Sequence, residues 1–473
     1  MHLFEALAKD LERLIREGQL RPGSRLPSVR ALCRERSASP STAVRALEWL
    51  QARGLVESRP RSGFYVTSAA ARRDAQPIER RVPRRVDVAD LAFHILDETR
   101  QRKAVPLGSA FPSPELFPFE ALGRSLAYVG RHLDPWATTD DLPPGNAALR
   151  RLIAQRYRLM GAAVAADEIV ITAGALEALN LALLAVTRPD EVVAIESPTF
   201  YGCLQAIQAA GRRAVEIPTH PGHGVDVGAL ERILTQVPVR ACWFMTTFQN
   251  PLGCTLPTPE KRRLVQLLAS HRIPLIDDNV YAELYFTKSR QPPAKVFDRE
   301  GLVIDCGSFS KSLAPGFRIG WAACGRFASA VRRCKVTSSL ATSMPMQAAI
   351  AHFVASGRYE RHLRGLRRSL LSQQASLIEA LQRHLPPGCR WQKPDGGYQI
   401  WIELPASVDA LELHATALAA GISIAPGPLF SASRGFSHAV RLNYGYPWSS
   451  RIDSAIRRLG EMIRERAATG ARP

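Results

Sequence analysis

Long apolar runs and closely paired cysteines are both missing from this chain of 473 residues. The longest apolar segments, such as residues 181–186, are far too short to cross a bilayer, and no cationic start leads into an apolar stretch. Eight cysteines occur without a C-x-x-C pair, which argues against a disulfide framework and a zinc site. His220 and His223 form an H-x-x-H in a Pro/Gly loop without a third ligand, so we expect no metal site. A cytoplasmic protein without membrane association is predicted.

Acidic residues are also few: 43 Asp and Glu stand against 62 Lys and Arg, a formal charge of +19 with a pI near 10.1. Such an excess indicates a polyanionic partner, although a solvated basic surface gives the same count. The 46% apolar content and the length predict a globular protein of two or three domains.

One lysine stands in a distinctive setting. Lys311 lies in the run S-F-S-K-S-L-A-P-G-F-R-I-G-W of residues 308–321, just after the apolar run 302–304. Small residues and hydroxyls surround it, and an arginine follows within two helical turns. This setting predicts an amine nucleophile that forms a Schiff base with an aldehyde cofactor, with the hydroxyls of Ser308 and Ser310 and the Arg318 guanidinium as anion ligands.

Further motifs accompany this run in a consistent order. They are S-P-T-F-Y-G with Phe200, Q-N-P-L-G with Asn250, I-D-D-N-V-Y with Asp278 and Tyr281, and A-V-R-L-N-Y with Arg441. Together they resemble fold-type I pyridoxal-5'-phosphate (PLP) proteins of the class I/II aminotransferase family. The resemblance implies that PLP is the cofactor and that Lys311, Asp278 and Tyr281 are the catalytic residues.

The resemblance also implies how the cofactor is held. Asp278 meets the pyridine nitrogen and keeps the ring protonated as an electron sink, while Tyr281 and Asn250 meet the ring oxygen. Gly174 and Ala175, between a strand-like run and a helix-like run, place backbone N–H groups where the phosphate docks.

Two further roles concern the cofactor ring and the ligand. Phe200 resembles the residue that stacks on the ring, with Tyr201 as the alternative. Arg441 resembles the arginine that binds a substrate α-carboxylate through bidentate hydrogen bonds. Without the resemblance, the motifs would be compatible with an α/β protein that has no PLP site.

The head of the chain has a different pattern. Apolar residues recur at three and four between Leu3 and Ile15, which predicts a helix that ends near Gly18. A second helix is predicted from Ser28 to about Arg36. Ser39-Pro40 predicts a cap and first turn for a third helix, which ends near residue 52. Two short strands then flank the basic turn of residues 59–63, so a helix-turn-helix with a wing is expected.

Residues 3–67 resemble the winged-helix DNA-binding domain of GntR regulators, through R-P-G-S-R-L-P-S-V-R-A-L, S-P-S-T-A-V-R-A-L and G-L-V-E-S-R-P-R-S-G-F-Y-V. The resemblance implies that double-stranded operator DNA is the partner. The implied DNA-contacting residues are Arg30, Ser39, Ser41, Thr42, Arg45, Arg59, Arg61, Ser62 and Gly63. Pro40 departs from the family, which commonly has arginine directly after the capping residue. The alternative is a small helical accessory domain.

Alternating strand-like and helical stretches after Val105 predict an α/β fold with a mostly parallel sheet. We expect a winged helix-turn-helix at residues 1–67, a basic linker at 68–103, an aminotransferase-like PLP-binding large domain at 104–340 and a smaller α+β C-terminal domain at 341–473. The linker is rich in Arg and Ala and is expected to be extended; its arginines either contact DNA or are simply solvated.

A GntR head on an aminotransferase-like body resembles the MocR subfamily, which implies a PLP-binding transcriptional regulator and a head-to-tail homodimer. Three functions remain open: a regulator that senses an amino acid or another amine through Lys311, a working aminotransferase with a DNA-binding head, or a sensor of PLP itself. The chain reads Asp140-Asp141 where aminotransferases often have a tyrosine for the partner subunit's phosphate. The predicted phosphate site therefore has one donor fewer.

Overall fold

A computed structural model describes residues 3–16, 20, 23–36, 38–53, 55–59, 63–67, 82–98, 104–136 and 142–469. The chain forms two compact units, Met1–Arg81 and Val82–Pro473. Among the described residues, no helix is both long enough and apolar enough to span a membrane.

The first unit contains the three predicted helices and the two strands of the wing. These are α1 (Leu3–Arg16), α2 (Val29–Arg36), α3 (Pro40–Ala52), β1 (Val56–Arg59) and β2 (Gly63–Val66). The strands pair antiparallel with Val56 opposite Val66. Ser39 caps α3 by accepting a hydrogen bond from the Thr42 N–H at 3.2 Å. Leu11, Leu32, Leu47 and Leu50 are buried together, so this small unit has a core of its own.

The second unit is built on a nine-stranded sheet. Its strands are β3 (Arg84–Arg85), β4 (Ile169–Thr172), β5 (Val192–Ser197), β6 (Arg213–His220), β7 (Gly224–Val225), β8 (Val239–Phe244), β9 (Leu275–Asp278), β10 (Val303–Ser308) and β11 (Gly320–Ala323). The order across the sheet is β3-β6-β5-β8-β9-β10-β11-β4, with β7 paired to β6. The central strands run parallel and β11 runs antiparallel between β10 and β4. A mostly parallel sheet, as predicted, is therefore present.

Helices cover both faces of this sheet, which explains why strands such as β4 are buried at every residue. The helices are α4 (Ala89–Glu98), α5 (Phe119–His132), α6 (Ala147–Leu159), α7 (Ala175–Val186), α8 (Tyr201–Ala209), α9 (Val227–Leu234), α10 (Thr258–Ser270), α11 (Ala328–Ser339), α12 (Met344–Ala355) and α13 (Arg358–His384). Trp243 on β8 and Ile304 on β10 are buried among the residues of α7 and α8.

The C-terminal part adds a four-stranded antiparallel sheet of order β12-β13-β15-β14. Its elements are β12 (Arg390–Trp391), β13 (Gln399–Glu403), α14 (Ala410–Ala419), β14 (Ala425–Pro426), β15 (Ala439–Asn443) and α15 (Ser450–Thr469). Val105, placed by the prediction in the large domain, instead pairs with Ile422 beside this sheet. Its N–H donates to Gly421 O at 2.8 Å.

The predicted linker of residues 68–103 is wrong in its second half. Arg84 and Arg85 pair with β6, Val88 donates its N–H to the Gln208 side chain at 3.1 Å, and α4 follows. Val86 and Val88 are buried, so this segment is anchored on the body by apolar burial. Residues 68–81 and 99–103 lie outside the described residues.

Candidate cofactor site

The candidate site residues follow the carboxyl ends of parallel strands. Gly174 comes just after β4, Asn250 follows β8, Asp278 ends β9 and Lys311 follows β10. The carboxyl ends of parallel strands meet at one edge of the sheet, so residues far apart in sequence converge there. Arg441 comes from β15 of the C-terminal sheet.

Lys311 is a half-buried side chain at this edge. Its Nζ donates to Ala110 O at 2.9 Å and lies 3.8 Å from the centroid of the Phe111 ring. Burial lowers the pKa of Lys311 to about 7, against the attraction of Asp278 and with help from the positive charge of Arg441. A large fraction of the amine is therefore uncharged at neutral pH, which is the nucleophilic form.

Asp278 is the acidic counterpart. Burial raises its pKa to about 7, although the Val280 N–H and Lys311 act in the opposite direction. Its side chain is 1% exposed, and Oδ1 has no hydrogen-bond partner within the described chain. Leaving such an atom unpaired in the interior is unfavourable. A protonated heteroaromatic nitrogen would supply both the missing donor and a positive charge, so this carboxylate fits the pyridine nitrogen of PLP.

Tyr281 and Asn250 lie on the same side of the site. The Tyr281 hydroxyl accepts a hydrogen bond from Gln399 Nε2 at 3.0 Å, and its ring meets the Tyr398 ring edge-on at 5.4 Å. Burial raises the pKa of Tyr281, so its phenol stays protonated and can donate. Asn250 Oδ1 accepts from Arg441 Nη1 at 3.3 Å.

A candidate anion-binding corner forms where α7 begins. Gly174 has φ of +89°, and a Cβ there would lie 2.4 Å from Arg318 Nη2. Arg318 Nη1 donates to Ser310 Oγ at 3.3 Å, and Nη2 donates to Ala173 O at 3.2 Å. Ser310 donates its N–H to Ser308 Oγ at 3.2 Å. A guanidinium, hydroxyls and the N–H groups that start α7 from Ala175 thus converge where a phosphate would be bound.

Arg441 is a buried cation of the candidate cofactor site. It is 1% exposed, and Nη2 donates to the backbone carbonyls of Gly108 at 2.5 Å and Ser109 at 3.1 Å. Its Nε is buried and finds no partner among the described residues. Burial lowers the pKa of Arg441, but a guanidinium keeps its charge in proteins. A ligand carboxylate would satisfy this cation better than two neutral carbonyls do.

The two aromatic candidates for ring stacking are neighbours. Phe200 precedes α8 and is half-buried, with its ring centroid 4.8 Å from that of Tyr201. Tyr201 is buried and packs against Phe430 at 6.0 Å. The ring of Phe200 is therefore the more accessible of the two.

Sequence reasoning missed the segment of residues 108–111 and the pair Tyr398 and Gln399. Tyr398 donates its hydroxyl to Ala110 O at 3.0 Å. The contacts to residues 108–111 use backbone carbonyls, which no side-chain pattern reveals. Gln399 could have been found, because it directly follows the P-D-G-G-Y turn at the start of β13.

In the DNA-binding head, the predicted contact residues of α2 and α3 lie at the surface. Arg30, Ser39, Ser41 and Arg45 are exposed, and Thr42 is half-buried. Arg45 lies over the Phe4 ring at 4.7 Å.

The wing is described only in part. Arg59 pairs with Glu57 at 2.7 Å and lies over Tyr65 at 4.3 Å, so its charge already has a partner. Gly63 has φ of +103°, which favours glycine. Arg61 and Ser62 lie outside the described residues, as do Asp140 and Asp141.

Comparison with known proteins defines the class. The family model of aminotransferase class I and II matches residues 142–459, and that of bacterial regulatory proteins of the gntR family matches residues 3–66. The chain belongs to the class I and II aminotransferase family and, through its GntR head, to the MocR type of transcriptional regulator.

Individual relatives agree with both halves. The uncharacterized HTH-type transcriptional regulator YdcR of Escherichia coli (strain K12) is 43% identical over 98% of this chain and 100% of its own length. The multiple substrate aminotransferase of Thermococcus profundus superposes with a TM-score of 0.75 at 28% identity, over 81% of this chain and 96% of that one. LysN of Thermus thermophilus is an alpha-aminoadipate aminotransferase whose structure is complexed with N-(5'-phosphopyridoxyl)-L-leucine. It superposes with a TM-score of 0.73 at 30% identity, over 79% of this chain and 95% of that one.

Proposed function

We propose that this protein is a DNA-binding transcriptional regulator that holds PLP on Lys311 and responds to PLP or to an amine that carries a carboxylate. The observation that carries the proposal is the proximity of Lys311, whose pKa is about 7, to Asp278, whose buried Oδ1 finds no hydrogen-bond partner among the described residues. The similarity to YdcR supports the regulatory role. Cytoplasmic location and a head-to-tail homodimer belong to the same proposal.

The chain's own residues divide the work. PLP, when bound, supplies an electrophilic aldehyde and a ring that accepts electron density. Lys311 Nζ, whose pKa of about 7 leaves part of the amine uncharged at neutral pH, would be the amine that holds the aldehyde carbon. Asp278 would hold a proton on the ring nitrogen, and Tyr281 and Asn250 would orient the ring oxygen. The phosphate would be held by Gly174, Ala175, Ser308, Ser310 and Arg318, and Phe200 would stack on the ring.

We expect ligand binding to change the segment of residues 108–109. Arg441 Nη2 donates to Gly108 O and Ser109 O, so a carboxylate that binds Arg441 through both of its Nη atoms would compete with these carbonyls. The same segment is held by Asn443, whose Nδ2 donates to Ser109 O at 3.0 Å and to Phe111 O at 2.7 Å. Two arrangements that differ in affinity for the ligand are what a switch requires.

Covalent trapping tests the cofactor assignment. Purified protein is loaded with PLP, reduced with borohydride, digested and analysed by mass spectrometry. We expect the adduct on Lys311 and its loss, together with the cofactor absorbance, in Lys311→Ala. Lys261 is an internal control, because it is also buried with a pKa lowered to about 8 but is bound to Thr247 and Pro292. An adduct mainly on Lys261, or cofactor absorbance that survives Lys311→Ala, would refute the assignment.

Transaminase activity is a second candidate, favoured by the near-neutral pKa of Lys311, which suits an amine that accepts the α-proton of a bound amino acid. Incubation of the PLP-loaded protein with a panel of amino acids distinguishes the candidates. Release of keto acid in repeated turnovers supports the enzyme, and stable binding without release supports the sensor.

A further inference from the structure

The first half of α13 carries an arginine face without acidic partners. Arg358, Arg361, Arg364 and Arg368 are all exposed. None of the four has an ion pair or hydrogen bond within the described parts of the chain. On a helix, Arg361, Arg364 and Arg368 recur at three and four and therefore share one side, with Arg358 at its margin. We call these four residues the α13 arginine face.

Neighbouring acids do not neutralise this face. Glu360, on the same turn, is engaged by Arg156. Glu283 is surrounded by Arg156, Arg290 and Arg367, so its carboxylate is already engaged by these three arginines. The face is part of a wider excess, because residues 82–473 contain 46 Lys and Arg against 34 Asp and Glu. Most of the chain's positive charge is therefore on the body and not on the DNA-binding head.

The shape of the surface suits an extended anion. Arg358 and Arg361 line a groove of about 520 Å³ between α13 and α5, with Gly365 at its floor. A Cβ at Gly365 would meet nothing within 4 Å. Arg124 lies on the opposite wall and is paired with Glu120, and Glu115 is a carboxylate of the same groove. Positive charge thus outweighs negative charge along the groove.

The inner side of the same helix reaches the candidate cofactor site. The Tyr359 hydroxyl is 2.7 Å from Ser312 Oγ, and His362 Nε2 donates to Ser312 O at 2.8 Å. Ser312 directly follows Lys311. Two hydrogen bonds therefore join α13 to the residue that follows the cofactor lysine.

We propose that the α13 arginine face is a second DNA-contacting surface. It binds the phosphate backbone of duplex DNA next to the segment that the winged helix holds. The proposal rests on the proposed function, since it requires a protein that binds DNA. Duplex DNA is the favoured partner because its phosphates form a continuous row of negative charge that unpaired guanidinium groups complement. Contacts of this kind carry no sequence information, so they would add affinity without changing the operator that the head selects.

Gly365 offers a test that leaves the arginines in place. Gly365→Glu places a negative charge in open space in the middle of the face, and Glu is a better helix former than Gly, so the fold should tolerate it. Gly130→Glu on α5 is the matched control, because a Cβ at that glycine would also meet nothing within 4 Å and the position lies outside this groove. Gly365→Gln controls for size without charge.

Full-length protein is titrated with a random-sequence duplex of about 60 base pairs at salt concentrations from about 50 to 200 mM, with fluorescence anisotropy as the readout. For Gly365→Glu we expect roughly tenfold weaker binding and a plot of log affinity against log salt that is less steep by about 1 to 3. Gly365→Gln and Gly130→Glu should match the wild type. Equal binding by Gly365→Glu and wild type, or equal weakening by Gly130→Glu, would overturn the second surface.

A measurement on the unaltered protein guards against a misfolded variant. Arginine modification by phenylglyoxal, read by mass spectrometry, should slow several-fold at Arg361, Arg364 and Arg368 when the duplex is added. Arg326 and Arg390, which are paired with Glu300 and Glu403, serve as references whose rates should not change. Protection that is present without DNA and grows with protein concentration would mean that a second copy covers the face, which contradicts the proposal. Failure of the wild type to bind any duplex would overturn the proposed function as well.

Discussion

Lys311 and Asp278 show how burial prepares a pair of side chains for a task at neutral pH. Burial lowers the pKa of the Lys311 amine and raises the pKa of the Asp278 acid, both to about 7. In the interior each charge is unfavourable, and a cofactor that converts the amine and supplies a cation to the acid relieves both costs.

Asp278→Asn should therefore make the cofactor-free protein more stable at pH 8. The folded pKa of this acid, about 7, lies above its ordinary 3.8, so the folded state binds the proton more tightly. Stability is full below about pH 4 and falls as the pH rises towards 7. Removing the charge should raise the free energy of unfolding on the order of 1–3 kcal/mol at pH 8 and by little near pH 4.

Denaturant unfolding of wild type and variant across this pH range measures the effect. The same variant should bind PLP more weakly, since the partner of the ring nitrogen is gone. If the stability difference between variant and wild type is no larger at pH 8 than at pH 4, the assigned burial of the Asp278 charge is contradicted.

Gly174→Ala should weaken PLP binding by on the order of tenfold, about 1.4 kcal/mol. The new Cβ would collide with Arg318, and the φ of +89° disfavours any side chain. Gly123→Ala on α5 is the control, because its position is open and helical, and alanine there should leave PLP affinity unchanged. Equilibrium titration of cofactor fluorescence would measure both, and equal affinities for the two variants would contradict the phosphate corner.

At the scale of elements, local patterns predicted what local forces determine. The Ser39-Pro40 cap, the helix that follows and the strand of residues 169–172 were predictable because capping, fixed proline φ and apolar runs act over a few residues. The order of motifs also indicated Lys311, Asp278 and Arg441 as one site. Their roles remain predictions.

The second half of the predicted linker shows where this approach fails. Of the α4 side chains that the structure describes, Ala92 and Ile95 are fully buried, a stripe too short to stand out beside the arginine-rich residues before it. What fixes α4 is a long-range cluster with Tyr201, Trp401 and Phe430. Such a cluster draws on three distant parts of the chain, so no window of sequence contains it.

Because of this packing, α4 connects the predicted linker to the candidate cofactor site. Tyr201 neighbours Phe200, and Phe430 lies 5.3 Å from the Arg441 guanidinium. A change at Arg441 can therefore reach α4 through Phe430, and α4 continues towards the DNA-binding head along the chain.

Ile95→Ala should loosen α4 and weaken the response of DNA binding to ligand. The lost side chain leaves a cavity that costs about 2–4 kcal/mol locally. Hydrogen exchange should accelerate in α4 but not in β5 or β8, and PLP should alter DNA affinity less than in the wild type. Phe93→Ala, at a position 70% exposed on the same helix, is the control. Unchanged exchange in α4, or an undiminished PLP response, would contradict a coupling role for this helix.

At the scale of the whole molecule, two units with separate cores share one chain. Leu11, Leu47 and their neighbours form the buried core of the head, and the large sheet is packed by its own helices. Separate cores allow each unit to keep its own activity.

The central claim is that PLP on Lys311 governs the DNA-binding behaviour of the same protein. Footprinting of genomic fragments selected by the wild-type protein, with and without PLP, for wild type and Lys311→Ala, tests it most directly. We expect both proteins to protect DNA and PLP to change the affinity or footprint of the wild type alone. An identical PLP effect in Lys311→Ala, or no effect of PLP on DNA-bound wild type that carries the cofactor, would contradict the claim.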